Sequence, residues 1–225
     1  MIGTIVNVSA IIAGCLFGSL FRKGLNESYQ NILMQAMGLA ATALGIHAIV
    51  KYMSSSHYPV LFIVSLALGG VLGQRLNLEQ RFKNVAVRFS KGNLAEGLST
   101  AILLFCLGTI LGPIESALHG NHAYLFTNAI LDGVTSIVLA STFGIGMIWS
   151  AAVLFCWQGF LYFTANVLSV FITPELLTET SLVGGILIFC SGLSILGIQN
   201  FKTMNFIPAL LIPVVFLLLK NISGV

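Results

Sequence analysis

Uncharged apolar runs long enough to cross a bilayer recur from one end of this 225-residue chain to the other. A membrane helix needs roughly 20 such residues, and it satisfies its own backbone polar groups where no water is available. A soluble core has no use for so many. Composition agrees: 57% of the residues are apolar and 8% are charged, with a mean hydropathy of +0.99, against roughly 25% charged in soluble domains. The expected fold is all-α, a polytopic transmembrane helical bundle forming one membrane domain over 1–225, with the lipid bilayer as its main partner.

Runs bounded by charge, Pro or Gly give about eight spans, seven if the last is re-entrant. The first covers Ile2 to Phe21, read as a retained helix because no charged leader precedes it and Arg22 and Lys23 follow. The second runs from about Ile32 to Val50 and the third from Pro59 to about Leu76, its proline suiting a first helical turn. Residues 77–93 break the pattern, with Arg81, Lys83, Arg88 and Lys91 interleaved with Phe82, Val85, Val87 and Phe89. That fits a cytoplasmic basic amphipathic linker lying on the membrane surface. Spans four to six fill 94–168, at about Leu98 to Leu118, Tyr124 to Thr142 and Ile145 to Leu168, with Gly144 and Gly146 turning the chain between the last two. The seventh, Leu182 to Ile198, and the eighth, Phe206 to Leu219, are short, and Pro208 and Pro213 interrupt the eighth.

Basic residues near span ends favour the cytoplasm. Arg22, Lys23, Arg75, Arg81, Lys83, Arg88, Lys91 and Lys202 fall on one side of this segmentation, and Lys51 and Lys220 on the other. Both termini are therefore expected outside, in a bacterial cytoplasmic (inner) membrane type of topology. The basic balance is thus topological, and nucleic acid is not an expected partner. Cys15, Cys106, Cys156 and Cys190 each lie inside an apolar run, where they read as small buried hydrophobes rather than as a disulfide or metal framework.

Glycines four apart let membrane helices approach closely, and the spacing occurs at Gly14/Gly18, Gly69/Gly73 and Gly108/Gly112. Gly14 and Gly108 are 94 positions apart, and Tyr29/Tyr124 and Gly38/Gly133 each 95. Spans 1–3 and 4–6 run in opposite senses, the geometry of an inverted-topology repeat. A glycine-rich apolar chain also produces such coincidences. The same glycine faces suit a homo-oligomer.

Six of the seven acidic residues lie at or near span ends, whereas Asp132 falls mid-span. An Asp at that depth costs about 2.5–3.5 kcal/mol on insertion scales, so it faces the bundle interior or a wet cavity. Asn128 and Ser136 stand four residues either side of it and Thr135 three after, on one helical stripe. Such a stripe lines a path for a small solute or ion. The plainer alternative is a protonated Asp132 that bonds a neighbouring helix as structural glue. Asn7, Gln35 and Gln158 lie at membrane depth and add candidate polar partners, as does His47, although a lone amide there is commonly an interhelical hydrogen bond. Glu115, His119 and His122 cluster at an outer span end, where a solvated loop explains them as well as metal capture does. No metal site, catalytic residue or cofactor is assigned, and an enzyme is not expected: no nucleophile elbow, paired-carboxylate span, HExxH or phosphate loop occurs.

The block EGLSTAILLFCLGTILGPIESALHGN, followed by AILDGVTSIVLASTFGIGMIWSAAVLFCWQG, resembles the bacterial membrane family catalogued as domain of unknown function 554. The early GTIVN with Gly14 and Gly18, and the later Gly184/Gly185 with NFIPAL, are similar too. The resemblance implies a multi-pass protein of the bacterial cytoplasmic membrane, often described as a transport protein, and places Asp132, Gly133 and Gln158 on its acidic, glycine and amide positions. A lysine often precedes that aspartate by four residues in the family pattern, and Asn128 stands there instead. A built-in ion pair is thereby put in doubt, leaving Asp132 neutral, cation-bound or proton-exchanging.

The leading expectation is a transporter or channel for a small solute or ion, with Asp132 as the cation- or proton-coupling group. The competing one is a non-transporting scaffold or assembly factor whose glycine seams and basic linker do the work. A lipid-modifying enzyme ranks last, for want of a nucleophile.

Overall fold

The computed structural model describes residues 2–21, 27–81, 84, 93–108, 112–113, 116–117, 120, 122–167 and 173–223. Every regular element among them is helical: α1 Ile2–Leu20, α2 Glu27–Met53, α3 Leu61–Leu76, α4 Asn93–Gly108, α5 Ala123–Phe143, α6 Trp149–Val167, α7 Pro174–Ile195 and α8 Leu211–Ser223. Two 3-10 segments, Ile145–Ile148 and Thr203–Leu210, lead into α6 and α8. Six segments are long and apolar enough to cross a membrane: Ile2–Leu20, Met34–Met53, Leu125–Phe143, Ile145–Ala165, Pro174–Ile195 and Thr203–Lys220, with Leu61–Leu76 a shorter apolar helix. The linker expected over 77–93 lies largely outside the described residues, as do parts of 109–119.

Several boundaries differ from the sequence reading, α2 beginning at Glu27 and α4 at Asn93 among them. Pro59 stands before α3, in the turn that Leu61 closes by donating its N–H to the Tyr58 carbonyl at 2.8 Å. The seventh helix starts at Pro174, not Leu182. Thr173 caps it by accepting the Leu176 N–H at 3.2 Å, and Pro174 occupies its first turn, where a missing N–H costs nothing. Glu175 and Glu179 made this stretch look like loop, yet both are helical. In the last segment Pro208 sits within the 3-10 stretch and Pro213 at the third position of α8, where N–H groups have no intrahelical acceptor. The proline-bearing stretch is therefore helical throughout. Eight 3-10 residues at ~2.0 Å rise and ten α residues at ~1.5 Å span roughly 31 Å, about the ~30 Å hydrocarbon thickness.

Two units make up the fold. The first comprises Met1–Met37 and Lys83–Val170. Here α1 lies along α5 and also touches α6, and α4 packs on both α5 and α6. α1 and α5 run parallel, because Gly3 meets Leu125, Asn7 meets Asp132 and Gly18 meets Ile137 in the same order. Their backbones touch: a methyl group added at Gly14 or Gly18 would overlap the carbonyl oxygens of Gly133 or Ile137. α5 ends at Gly144, whose φ of 93° favours glycine, and the Ile145–Ile148 turn leads the chain into α6.

The second unit comprises Gly38–Phe82 and Phe171–Val225. α2 and α7 are antiparallel, with Gly38 against Leu196, Gly45 against Phe189 and Gly185 against Ala48. α3 is antiparallel to the last segment, with Gly69 against Ala209 and Gly73 against Asn205. Hydrogen bonds tie both ends of that pair. At one end the Asn205 side chain donates to Gln74 Oε1 and accepts the Glu79 N–H, both at 2.8 Å. At the other, Lys220 Nζ donates to the Tyr58 hydroxyl at 2.5 Å, and Tyr58 packs edge-on against Phe216. The last segment therefore runs the full length of α3 and does not turn back.

Candidate functional site

α5 carries two opposite faces. Leu125, Ala129, Asp132, Ser136 and Leu139 are buried at helical spacing, while Phe126, Ile130 and Val134 form an exposed apolar stripe. Ile130 is 71% exposed and Asp132, two residues on, only 7%. The carboxyl thus points away from the surface that lipid would cover, as its insertion cost demands.

Its partner comes from α1. Asn7 Nδ2 donates to Asp132 Oδ2 at 2.9 Å, and both side chains are buried. α1 supplies Asn7 through its own periodic face, in which Thr4, Asn7, Ile11, Gly14 and Gly18 are all buried. The glycines below Asn7 bring the helices close enough for a short amide to reach across. Ser136 lies one turn beyond Asp132, beside Gly14, where the Cβ of a substituted residue would come within 2.9 Å of the Ser136 Cβ.

α6 contributes Gln158, which is fully buried. On the same helix Trp157 Nε1 donates to the Cys106 carbonyl at 3.0 Å, fixing α6 against α4. α6 packs on α1, as does the Ile145–Ile148 turn that leads into it. Several buried polar atoms in this unit have no hydrogen-bond partner: Thr4 Oγ1, Asn7 Oδ1, Ser136 Oγ, and both Oε1 and Nε2 of Gln158. Leaving one such group unsatisfied costs about 1–3 kcal/mol, so five such atoms together are unusual in a sealed bundle.

The remaining residues singled out in the sequence divide. Thr135 is buried, but its hydroxyl donates back to the Leu131 carbonyl at 2.7 Å and approaches Met37 Sδ at 3.3 Å, which occupies it locally. Asn128 is half-buried and has an interaction of its own. Gln35 and His47 on α2 are exposed and do not join Asp132. Ser116 Oγ bonds His122 Nδ1 at 2.8 Å, and Glu115 and His119 lie outside the described residues. Of the four cysteines, all free, Cys15 is buried, Cys106 and Cys190 are half-buried, and Cys156 is exposed, so burial of all four does not hold.

Thr4 was missed by sequence reading, although its spacing of three from Asn7 on a helix already places both on one face. Glu179 was missed as well, in the second unit. It is 1% exposed, and its carboxylate accepts the Ser56 hydroxyl at 2.7 Å and the N–H groups of His57 and Tyr58 at 3.0 and 3.1 Å. It secures the turn between α2 and α3.

Residues 2–218 match the family model described as protein of unknown function (DUF554). The chain is 58% identical over 226 residues to a Bacillus subtilis (strain 168) protein named uncharacterized membrane protein YdfK, covering 100% of this chain and 99% of that one. It is 28% identical over 225 residues to the Escherichia coli (strain K12) uncharacterized protein YqgA, covering 94% of each. No solved structure matches.

Proposed function

Because this multi-pass membrane protein belongs to the family described as protein of unknown function (DUF554), a premise that supplies a setting and no chemistry, we propose its function from its own residues: it is a transporter or channel for a small solute or ion, with Asp132 as the coupling group. One observation carries the reading, the buried Asp132–Asn7 pair set among polar side chains that lack partners. A charge-bearing group at membrane depth is expensive and is retained where it meets a permeating species. A purely structural aspartate would be expected to have its neighbours satisfied. The reading assigns no catalysis.

Eight crossings with both termini outside the bacterial cytoplasmic membrane are part of the proposal. Parallel neighbours in a bilayer are separated by an odd number of crossings and antiparallel neighbours by an even number. The parallel α1/α5 pair fits three intervening spans, α2 to α4. The antiparallel pairs α2/α7 and α3/last segment each fit four. All three pairings agree with eight, whereas counting α3 without α4 contradicts the first. Opposed senses of spans 1–3 and 4–6, and the close glycine seams, fit an inverted repeat.

Flux into reconstituted vesicles tests the function. With an encapsulated pH dye or sodium dye and an imposed gradient, the wild-type chain is expected to move protons or sodium faster than empty vesicles, and Asp132→Asn to lose at least nine-tenths of that flux, about the 1.4 kcal/mol of a tenfold change. Wild-type flux indistinguishable from empty vesicles, or unchanged in the variant, sinks the assignment.

A further inference from the structure

No Lys or Arg occurs between Lys91 and Lys202, nor before Arg22, so α1, α4, α5 and α6 hold no basic residue to neutralise Asp132. A carboxylate in such surroundings is compensated by a proton or by a bound cation. The neighbouring atoms decide between them. Protonation would neutralise Asp132 yet leave Thr4 Oγ1, Asn7 Oδ1 and Gln158 Oε1 as buried oxygens without partners. Neutral amide and hydroxyl oxygens of this kind are ligands for a hard cation, which would give them the partner that a proton on Asp132 does not. Asn7 is suited to this: its amide nitrogen is already spent on Asp132 at 2.9 Å, which turns its oxygen to other use.

Charge then selects the ion. One carboxylate balances one positive charge, whereas a divalent ion would leave an uncompensated charge inside the unit. We propose that Thr4 and Asn7 of α1, Asp132 of α5 and Gln158 of α6 form a binding site for a dehydrated alkali-metal cation, within the first unit. The proposal takes the site of the transport reading and names its ligand.

Thermal unfolding of the full chain in detergent tests it, at constant ionic strength in sodium, potassium or choline chloride. A saturable rise of the unfolding midpoint with sodium or potassium, absent in choline, is expected for the wild type. Asp132→Asn is expected to abolish the rise, and Thr4→Val and Gln158→Leu to weaken the apparent affinity about tenfold, one lost oxygen each. The two neutral variants keep the test alive if Asp132→Asn does not fold. The same midpoint in all three salts overturns the site, as does a rise that survives all three substitutions. Asp132-dependent proton flux alongside a flat salt response leaves transport standing and removes the cation. A specific salt response without flux does the reverse.

Discussion

Asn7 Nδ2 and Asp132 Oδ2 lie 2.9 Å apart, a buried hydrogen bond that joins α1 to α5 across 125 positions of sequence. Interhelical bonds of this kind are worth about 0.6 kcal/mol on average and up to about 1.7 kcal/mol in membrane proteins. Asn7→Leu removes the donor and also strands the Asp132 oxygen, so it is expected to cost about 1–2 kcal/mol, read by thermal unfolding in detergent. Asp132→Asn keeps an acceptor for Asn7 and is expected to cost less than about 1 kcal/mol. Wild-type stability in Asn7→Leu would show that the pair holds nothing together.

The glycines separate by what surrounds them. At Gly14 and Gly18 an added Cβ overlaps backbone carbonyls, which cannot swing aside. Gly14→Val or Gly18→Val therefore pushes α1 off α5 and is expected to cost about 3 kcal/mol or more, beyond the usual overpacking range of 1–3 kcal/mol. At Gly159 nothing lies within 4 Å of the added atom, and at Gly184 only Leu210 Cδ2 at 3.9 Å. Gly159→Ala and Gly184→Ala are expected to be neutral or to stabilise by about 0.4–1 kcal/mol, through reduced backbone entropy of the unfolded chain. Equal unfolding midpoints for both groups would refute the close-approach account.

What the sequence disclosed follows from periodicity. The buried face of α5 and the inward Asp132 could be read from spacing alone, because a helix fixes which residues share a side. The membrane setting was legible for the same reason. Contacts between distant segments were not. Nothing local pairs Glu179 with Ser56 or Asn205 with Gln74, and the start of α7 was hidden because two glutamates resemble a solvated loop until a buried partner for Glu179 is known. Gln35 and His47 were polar at plausible depth, but which face of α2 they occupy depends on packing.

Glu179 is an acceptor for three donors from the α2–α3 turn, the Ser56 hydroxyl and the His57 and Tyr58 N–H groups. Glu179→Gln can keep its oxygen at the Oε1 position that all three donors share, whereas Glu179→Leu removes the acceptor and strands them. A loss of about 2–3 kcal/mol is expected for Glu179→Leu, as for a hydrogen-bonded buried charged group, and about 1 kcal/mol for Ser56→Ala. Limited proteolysis should show earlier cutting within 54–60 in Glu179→Leu. Unchanged cutting and an unchanged unfolding midpoint would mean that the carboxylate does not secure the turn.

Tyr58 and Lys220 also fix a topological expectation. Their 2.5 Å bond holds the α2–α3 turn and the end of α8 at one level, while Asn205 bonds Gln74 and the Glu79 N–H at the opposite end of the same helix pair. Ser55 and the end of α8 are then expected on one side of the membrane and Asn200 on the other. Arg75, Arg81 and Lys202 accumulate at the Asn205 end, which the positive-inside rule assigns to the cytoplasm. In a chain with its four cysteines replaced by alanine, Ser55→Cys is expected to react with an impermeant maleimide on intact cells, and Asn200→Cys only after permeabilisation. A phosphatase fused after Val225 should be active, because that enzyme folds outside the cytoplasm. Labelling of both cysteines from outside, or an inactive phosphatase beside a reactive Ser55→Cys, would break the link between the two bonds and the membrane sides, and with it the eighth crossing.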